Sequence, residues 1–442
     1  MDQTVFDGLR AGIAAVPVVW RTGRVAALGG GRLEVAGLVP GCALGDRVEV
    51  CRADGARIGG EVIRMAPGHI EALPDEAAEG VAIGDEVALI GPVGIAPCTS
   101  WIGRVVDPSG RPLDDRPLLP GARMRPLVTA PPAAVARRPL GARMETGVAV
   151  FNTLLPLVRG QRIGLFAGSG VGKSSLLARF ARGVAADVVV IALVGERGRE
   201  VREFTERVLG PRGMARSVVV AATSDRSPLV RRRCAWTAMA VAEHFRDMGK
   251  HVLLLADSVT RFAEAHREIA LAAGESASLR GYPPSVAQAI MALAERAGPG
   301  EGTAGDITAV FSVLVAGSDM EEPVADILRG VLDGHVVLDR RIAERGRFPA
   351  IDLLRSVSRS LPEAAGEAEN RLIARARRLL GAWDRAEMMI QAGLYAAGSD
   401  PEVDAAIAVW PKLDAFLSED APEGVAGSFR RLAECMGETW EG

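Results

Sequence analysis

The pattern of apolar and polar residues changes twice along the chain and divides it into three unlike regions. Residues 17–95 hold short apolar runs punctuated by glycine, and the segments 45–50 and 84–89 are similar turn-and-strand units. Short strands at such regular spacing are typical of a small β-barrel. Residues 146–357 alternate apolar runs with helical patterns, whereas residues 358–442 show helical patterns alone. The chain is therefore predicted to contain a β-barrel, an α/β domain and a small helical domain.

The α/β region is predicted to be a parallel sheet with helices on both faces. Its runs are almost wholly apolar, which is typical of strands that are buried on both sides in a parallel sheet. Helical patterns at 229–248 and 285–296 lie between the strands and indicate β-α-β connections. The predicted strands are Arg162–Ala167, 188–194, Ser217–Thr223, 251–257 and 307–315.

Two segments outside these regions have patterns of their own. Residues 107–139 contain eight prolines, so we predict that residues 96–145 are a linker between the barrel and the α/β domain. Residues 1–16 have an amphipathic pattern, which indicates a helix that either frays in solvent or docks against a partner. The apolar residues on one face of that helix are Val5, Phe6, Leu9 and Ile13.

Composition excludes several classes of protein. The net charge of −3 gives no overall basic footprint, so nucleic acid is not an expected partner. The chain has no run of 18 apolar residues and no charged N-terminal signal region, so we predict neither a membrane span nor a signal peptide. Five scattered cysteines and five histidines lack disulfide or metal-ligand spacing. This usage indicates a reduced, cytoplasmic protein without a zinc site.

A glycine-rich turn follows the strand Arg162–Ala167 and carries one of only three lysines in the chain. Residues 167–174 read Ala-Gly-Ser-Gly-Val-Gly-Lys-Ser, and a helical pattern begins at Lys173. This is the context of a P-loop, in which backbone N–H groups and a helix N-terminus hold phosphates and the lysine reaches the β- and γ-phosphates. We therefore predict a nucleoside triphosphatase with a phosphate cradle of Gly168, Ser169, Gly170, Val171, Gly172, Lys173, Ser174 and Ser175.

Two acidic residues are predicted to complete this site. Glu196 and Arg197 follow the strand 188–194, so Glu196 would orient the attacking water in the nucleotide crevice and Arg197 would meet the γ-phosphate. Asp257 ends a fully apolar strand in a Walker B arrangement. With Ser174 it would hold Mg²⁺, which prefers oxygen ligands and keeps part of its water shell. For the Glu196 motif the alternative is a solvated charged turn, and for Asp257 it is an ordinary turn aspartate at the end of a strand.

As a set, these motifs resemble the catalytic subunits of rotary ATPases. The P-loop, the Gly-Glu-Arg-Gly-Arg-Glu turn and residues 255–265, Leu-Ala-Asp-Ser-Val-Thr-Arg-Phe-Ala-Glu-Ala, carry the resemblance. Within that superfamily the chain most closely resembles the flagellum-specific type III export ATPase, as the segments 281–286, 332–338 and 393–401 indicate. The resemblance extends over residues 20–415.

This resemblance implies a fold, an activity and partners. The fold is an N-terminal β-barrel, a RecA-like core and a helical C-terminal domain. The activity is hydrolysis of ATP with Mg²⁺, which would energise protein export for flagellar assembly by unloading chaperone-bound substrates at a membrane export gate. The implied location is the inner face of the cytoplasmic membrane. A dimeric stator-like regulator would bind residues 1–16 and the barrel.

Two residue roles follow from the resemblance alone. Phe348 matches an aromatic residue placed against the adenine face, although a core phenylalanine is the alternative. Arg359 matches an arginine finger, which reaches the nucleotide of the neighbouring subunit and stabilises charge in the transition state. Because Glu196 and Arg359 belong to one chain, we predict a homohexamer with six equivalent sites at head-to-tail interfaces.

Other functions stay as alternatives. The ATPase of an injectisome shares these motifs, and departures from the family pattern at Phe151, Asn152 and 274–280 leave that choice open. A rotary synthase subunit is less well supported because residues 393–401 lack a strongly acidic loop. An RNA translocase would need a basic groove with stacking aromatic residues in the barrel region, where Trp20 has few aromatic neighbours in sequence.

Overall fold

The computed structural model describes residues 3–14, 19–315 and 320–440. These residues form a closed β-barrel, a large sheet flanked by helices and a C-terminal group of three helices. The predicted fold class is therefore confirmed. Of the predicted N-terminal segment, residues 1, 2, 15 and 16 lie outside the described residues, and the remainder forms helix α1 (Gln3–Ala14).

Six antiparallel strands close the N-terminal barrel. They are β1 (Thr22–Gly29), β2 (Arg32–Ala36), β3 (Arg47–Cys51), β4 (Arg57–Ala66), β5 (His69–Pro74) and β6 (Glu86–Gly91). Neighbouring strands follow the order β1, β2, β5, β4, β3, β6, and β6 pairs with β1 to close the ring. Side chains alternate between interior and surface, as in β3, where Val48 and Val50 are buried and their neighbours are partly exposed.

The proline-rich stretch 96–145 packs on the α/β region and adds a strand to it. The short strands β7 (Gly94–Ile95) and β9 (Arg125–Pro126) pair with each other. Between them, β8 (Arg104–Val106) pairs in parallel with the strand Ser217–Thr223 of the main sheet. Part of the stretch that the prolines predict to be a linker is therefore an edge strand of the main sheet.

The main sheet has parallel strands at its centre. Its remaining strands are β10 (Arg162–Ala167), β11 (Val188–Glu196), β12 (Ser217–Thr223), β13 (Val252–Asp257), β14 (Gly298–Pro299), β15 (Asp306–Leu314), β16 (Gly334–Leu338) and β17 (Ile351–Ser358). From edge to edge the order is β17, β16, β10, β15, β13, β11, β12, β8, and β14 pairs with β15. The five predicted strands coincide with β10, β11, β12, β13 and β15.

Helices cover both faces of this sheet. They are α2 (Ala149–Asn152), α3 (Lys173–Gly183), α4 (Gly198–Glu203), α5 (Gly210–Met214), α6 (Pro228–Asp247), α7 (Val259–Ala272), α8 (Pro284–Glu295), α9 (Pro323–Val331) and α10 (Arg340–Glu344). One apolar core lies on each face, so that in β11 Val189 and Ile191 join one core while Val190 and Ala192 join the other. This two-sided burial explains why the strand sequences are almost wholly apolar.

The registers of the parallel strands bring distant parts of the sequence to one edge of the sheet. Ala167 at the end of β10 lies opposite Leu314 of β15, and Leu193 of β11 lies opposite Asp257 at the end of β13. Ligand sites of open α/β sheets lie at the carboxyl ends of the strands. The P-loop, Glu196 and Asp257 therefore meet at the edge where such a site is expected.

Three helices complete the described chain: α11 (Glu367–Gln391), α12 (Pro401–Phe416) and α13 (Gly424–Met436). Trp383 of α11 and Trp410 of α12 stack with their ring centroids 4.7 Å apart. Asn152 of α2 donates a hydrogen bond of 3.1 Å to Ser428 Oγ of α13, which ties these helices to the core. Neither these nor the other helices in the described ranges are long and apolar enough to cross a membrane.

A buried cluster of ion pairs fastens the barrel to the α/β core. Glu61 of β4 accepts hydrogen bonds from Arg232 and Arg233 of α6, the latter at 2.9 Å from Nη2. Arg233 Nη1 also donates to Asp75 at 2.7 Å. Charges with so little contact with water need partners of opposite sign, and these partners come from two different structural units. The cluster therefore fixes the barrel on α6, beside the sheet.

Candidate active site

The P-loop joins β10 to α3 and is open to solvent on one side. Gly170 and Gly172 have φ angles of 79° and 86°, in the left-handed region that favours glycine. A Cβ atom built at Gly170 would meet no atom within 4 Å, so this point of the loop faces open space. Val171 is buried and anchors the loop to the core. The loop therefore has the form of a phosphate cradle at the N-terminus of a helix.

A cavity of about 780 Å³ lies at this edge of the sheet. Its walls come from the P-loop, the end of β11, the start of α7 and the end of β15. Among the predicted residues, those lining it are Gly168, Ser169, Gly170, Gly172, Lys173, Ser174, Ser175, Glu196 and Arg197. A cavity of this size is typical of small-molecule sites. The fold thus brings most of the predicted cradle and Glu196 to one opening.

Asp257 lies under this cavity and holds the P-loop lysine. It is only 3% exposed, and its Oδ1 accepts a hydrogen bond from Lys173 Nζ. Ser312 Oγ of β15 donates to the same oxygen at 2.8 Å. Such hydrogen-bond partners offset the cost of burying a carboxyl group. The arrangement keeps the ammonium and the carboxylate adjacent at the floor of the site.

Glu196 has the protonation behaviour of a base that works near neutral pH. Burial raises the pKa of its carboxyl to about 7, and the charge of Asp257 adds to this effect. Lys173 acts in the opposite direction. A general base is most effective when its pKa lies near the working pH. The position of Glu196 at the mouth of a buried pair of charges thus suits it to accept a proton.

Sequence reasoning assigned no individual role to several residues in or beside the cavity. Glu200 of α4 and Glu264 of α7 line it, and Ser312 binds Asp257 from the neighbouring strand. Thr260 Oγ1 accepts a hydrogen bond of 2.8 Å from Leu314 N, which joins α7 to β15. The single signal for Ser312 was a hydroxyl inside an apolar strand. Its place beside Asp257 depends on strand order, which the sequence pattern does not contain.

Phe348 stands beside the first turn of the P-loop helix. Its side chain is 48% exposed, so it is not a core phenylalanine. A Cβ atom built at Gly172 would lie 3.0 Å from Phe348 Cδ1, so the ring nearly touches the loop. An aromatic face at this point has the large, flat apolar surface that a nucleobase needs for stacking. Its role as the adenine contact stays a prediction.

Arg359 lies at the opposite end of the sheet from the cavity. It follows β17, whose last residue Ser358 pairs with Gly334 at the start of β16. Its backbone N–H donates to Asp333 O at 3.0 Å, and Asp333 N in turn donates to Arg162 O, at the beginning of β10. The P-loop follows the far end of β10, so about 16 Å of strand separates the two ends. Arg359 therefore lies at the end of the sheet remote from the cavity of its own chain, where its Nη2 donates to Arg329 O at 3.2 Å.

Comparison with known proteins places this chain among ATPases. Residues 147–358 match the ATP synthase alpha/beta family, nucleotide-binding domain, and residues 365–433 match the T3SS EscN ATPase C-terminal domain. The flagellum-specific ATP synthase of Caulobacter vibrioides is 46% identical over 424 residues, which cover 94% of this chain and 95% of that protein. The chain belongs to the type III export ATPase family. The export ATPase is also 44% identical to the flagellum-specific ATP synthase of Salmonella typhimurium, over 94% of this chain and 93% of that protein.

This chain has the same fold as an ATPase of known structure. The assembled ATPase EscN from the type III secretion system of enteropathogenic E. coli matches with a TM-score of 0.87 and 36% identity. The match covers 94% of this chain and 100% of that one. EscN in complex with its central stalk EscO matches with a TM-score of 0.84.

Family membership establishes the type of reaction. The P-loop, Glu196 and Asp257 all fall within residues 147–358, the segment that matches the nucleotide-binding domain. The relatives that match nearly the full length are ATP synthases or ATPases by name. The export ATPase is therefore an enzyme of type III protein export that binds and hydrolyses ATP. The individual roles of its site residues stay predictions.

Proposed function

We propose that the export ATPase energises flagellar protein export by unloading chaperone-bound substrates at a membrane export gate. The observation that carries the proposal is a cavity lined by Lys173 and Glu196, with Asp257 hydrogen-bonded to Lys173. This site lies in a chain that is 46% identical to a flagellum-specific relative. An injectisome role is the second candidate, favoured by the likeness to EscN. We place the enzyme in the cytoplasm, at the inner face of the membrane.

Hydrolysis would proceed with Glu196 as the base. The P-loop N–H groups and Lys173 hold the phosphates, while Arg197 meets the γ-phosphate and Phe348 stacks on adenine. Glu196 takes a proton from water as the water oxygen bonds to the γ-phosphorus. The bond from that phosphorus to the bridging oxygen breaks, and its electron pair leaves with ADP.

The residues present fit Mg²⁺ as a companion of ATP. Ser174 and Asp257 supply hard oxygen atoms beside the phosphate cradle, which is the ligand type that Mg²⁺ prefers. Within the described ranges, no group of three or more His, Cys, Asp or Glu side chains is placed to hold a metal ion without help. Such a sparse protein donor set suits an ion that is held partly by phosphate and water. When bound, Mg²⁺ would neutralise charge that develops on the phosphate oxygens.

The position of Arg359 supports a ring of identical subunits. Because Arg359 lies at the end of the sheet remote from its own cavity, a neighbouring copy would be needed to bring it to a nucleotide. An interface between two different faces closes into a ring when the rotation between copies is suitable. The relative EscN has been solved as an assembled ATPase. We propose a homohexamer with one ATP at each head-to-tail interface.

A stalk-type partner is proposed for the tip of the C-terminal helices. At the end of α11, Met388 is 82% exposed, and Leu394 in the following loop is 77% exposed. Met389 lies between them and is also exposed. Adjacent exposed apolar side chains of this size are typical of interaction sites. The relative EscN has been solved with a central stalk, so this tip is the surface we assign to the equivalent partner.

The stalk proposal predicts that apolar contact at the tip is required for stimulation. Met388→Asp with Leu394→Asp should leave the ATPase rate of the isolated enzyme unchanged. The two changes should weaken stalk affinity by about 30-fold or more, because interface anchors contribute about 2 kcal/mol or more. Titration calorimetry and stalk-stimulated phosphate release measure the two effects. Met248→Asp, at an exposed methionine beyond α6, is the matched control; normal stimulation of the tip variant would contradict the assignment.

A regulator is proposed for the opposite end of the chain. Helix α1 leaves Phe6 and Ile13 exposed, while a Cβ atom built at Gly8 would lie 2.3 Å from Pro120 O. One face of α1 therefore packs on the proline-rich stretch and another offers apolar side chains. We assign this outer face and the barrel to the stator-like regulator.

The function itself is tested by export in living cells. A strain that lacks this chain should fail to secrete flagellar hook protein and should not swim, and the wild-type gene should restore both properties. A Glu196→Gln gene should restore neither, because the ring would assemble without turning over. Immunoblots of culture supernatants measure export. Normal motility with loss of an injectisome substrate would instead establish the second candidate.

A further inference from the structure

Ser312 places a hydroxyl group in a stretch of strand that is otherwise apolar. It belongs to β15, in which residues 309–314 are apolar apart from this serine. The side chain of Ser312 is fully buried. Burying a hydroxyl group costs free energy unless the group is hydrogen-bonded. A serine at this position of the strand therefore needs a partner close by.

The register of the sheet supplies that partner. Ala256 of β13 lies opposite Phe311 of β15, so the next position on each strand brings Asp257 beside Ser312. Side chains at equivalent positions of neighbouring strands lie on the same face of a sheet. Ser312 Oγ donates to Asp257 Oδ1 at 2.8 Å. Because a serine hydroxyl has a single hydrogen, Ser312 gives its whole donor capacity to this one oxygen.

The two carboxylate oxygens of Asp257 differ in their partners. Oδ1 accepts hydrogen bonds from both Lys173 Nζ and Ser312 Oγ, and these two bonds use the two lone pairs of that oxygen. Across residues 3–14, 19–315 and 320–440, no group donates a hydrogen bond to Oδ2. Oδ2 is therefore the oxygen that is left to bind Mg²⁺ or one of its waters.

Lys173 and Ser312 are unlike partners for this carboxylate. The P-loop lysine is predicted to hold the β- and γ-phosphates, so its ammonium would be shared between Asp257 and the nucleotide. Ser312 belongs to a central strand, which pairs in parallel with β10 on one side and with β13 on the other. The sheet therefore sets the position of the hydroxyl, and Ser312 is the fixed partner of the carboxylate.

We propose that Ser312 is a positioning residue for Mg²⁺, which holds Asp257 by Oδ1 so that Oδ2 serves the ion. This inference rests on the proposed role of Asp257 as a Mg²⁺ ligand. Removing a hydrogen-bond partner that orients a ligating side chain typically costs about 10–100-fold in metal affinity or activity. Loss of the Ser312 hydroxyl should therefore weaken binding of the metal–nucleotide complex and leave binding of the nucleotide alone unchanged.

The test compares nucleotide binding by the full chain with and without Mg²⁺. A fluorescent ATP analogue that resists hydrolysis is titrated once in excess chelator and once in saturating Mg²⁺. In chelator, Ser312→Ala should bind the analogue as tightly as the wild type. In Mg²⁺ the same variant should bind it about tenfold more weakly than the wild type. Because binding is the quantity measured, the result does not depend on turnover.

Three companion variants separate orientation of the carboxylate from damage to the fold. Ser312→Cys keeps the space filled but has a weaker donor, so it should weaken binding in Mg²⁺ and decide the question if Ser312→Ala does not fold. Ser312→Thr keeps a hydroxyl in a residue that suits a strand, and it should restore wild-type binding. Ser217→Ala is the matched control, because that serine is also fully buried and donates instead to Gly213 O at 2.7 Å.

Wild-type binding by Ser312→Ala in Mg²⁺ would overturn the inference. A loss of the same size in chelator, or in Ser217→Ala, would overturn it as well, because the effect would then not be specific to the metal. Asp257→Asn tests the basis of the inference. If this variant binds the analogue in Mg²⁺ as the wild type does, Asp257 does not hold the ion, and the proposed metal site and the role of Ser312 fail together. A loss confined to Mg²⁺ in Asp257→Asn, with Ser312→Ala normal, would remove the role of Ser312 alone.

Discussion

Glu196→Gln should bind ATP as tightly as the wild type and should lower kcat by about 10²–10⁴-fold, the usual contribution of a general base. The amide has the size of the carboxyl but has no basic oxygen that can take a proton at neutral pH. Lys173 and the P-loop keep their places in this variant, so phosphate binding persists. Binding of a fluorescent ATP analogue and release of inorganic phosphate measure the two properties separately.

A matched variant makes this prediction specific. Glu268→Gln also neutralises a glutamate, but Glu268 lies near the end of α7 and pairs with Arg231 at the surface. It should retain wild-type turnover. Hydrolysis at the wild-type rate by Glu196→Gln would show that another group activates the water. Loss of ATP binding in that variant would show that Glu196 acts on the ground state and not in the chemical step.

The sequence predicted the parts of the site that lie in short continuous segments with a recognisable pattern. The P-loop is one continuous segment whose flanking strand and helix are visible as patterns, and β10 and α3 have the predicted places. Glu196 and Asp257 were found because each ends an apolar strand. In a parallel sheet the carboxyl ends of neighbouring strands share one edge, so a linear pattern was enough to bring them together.

The parts that escaped prediction depend on strand order and on fine packing. Ser312 reaches Asp257 because β15 lies beside β13, and no spacing in the sequence encodes that pairing. Glu200 belongs to a visible charged turn, but its place on the cavity wall depends on how α4 leaves the strand. Prolines favour extended loops. Because β8 lies in the proline-rich stretch 96–145, the sequence pattern did not predict it as a strand.

The position of Arg359 depends on the direction of one strand, which the sequence pattern does not reveal. The resemblance to a family supplied its role, whereas the fold supplies an independent reason for it. β17 is antiparallel to its neighbour β16, so the residue after β17 lies at the amino ends of the parallel strands. A sequence pattern does not distinguish a parallel from an antiparallel edge strand, and the direction of this one strand separates Arg359 from Lys173.

Arg359→Ala should abolish steady-state hydrolysis and yet be rescued by a second inactive variant. Arginine fingers contribute about 10³–10⁵ in rate in comparable phosphoryl transfers, and Lys173→Ala should be inactive for lack of phosphate binding. In rings mixed from the two variants, the first subunit supplies an intact P-loop and the second supplies an intact Arg359. With random 1:1 mixing, about one quarter of the interfaces would be complete.

Phosphate release from the mixture, compared with each variant alone, measures this rescue. The control is the double variant Lys173→Ala with Arg359→Ala, mixed with either single variant. Such a mixture contains either an intact P-loop or an intact Arg359 but never both, so no interface is complete. Activity that appears in the first mixture and not in the second would require a residue of one copy to act on nucleotide held by another. If the first mixture stays inactive while mixed rings are seen by mass measurement, Arg359 does not act across the interface, and the six-site ring loses its main structural support.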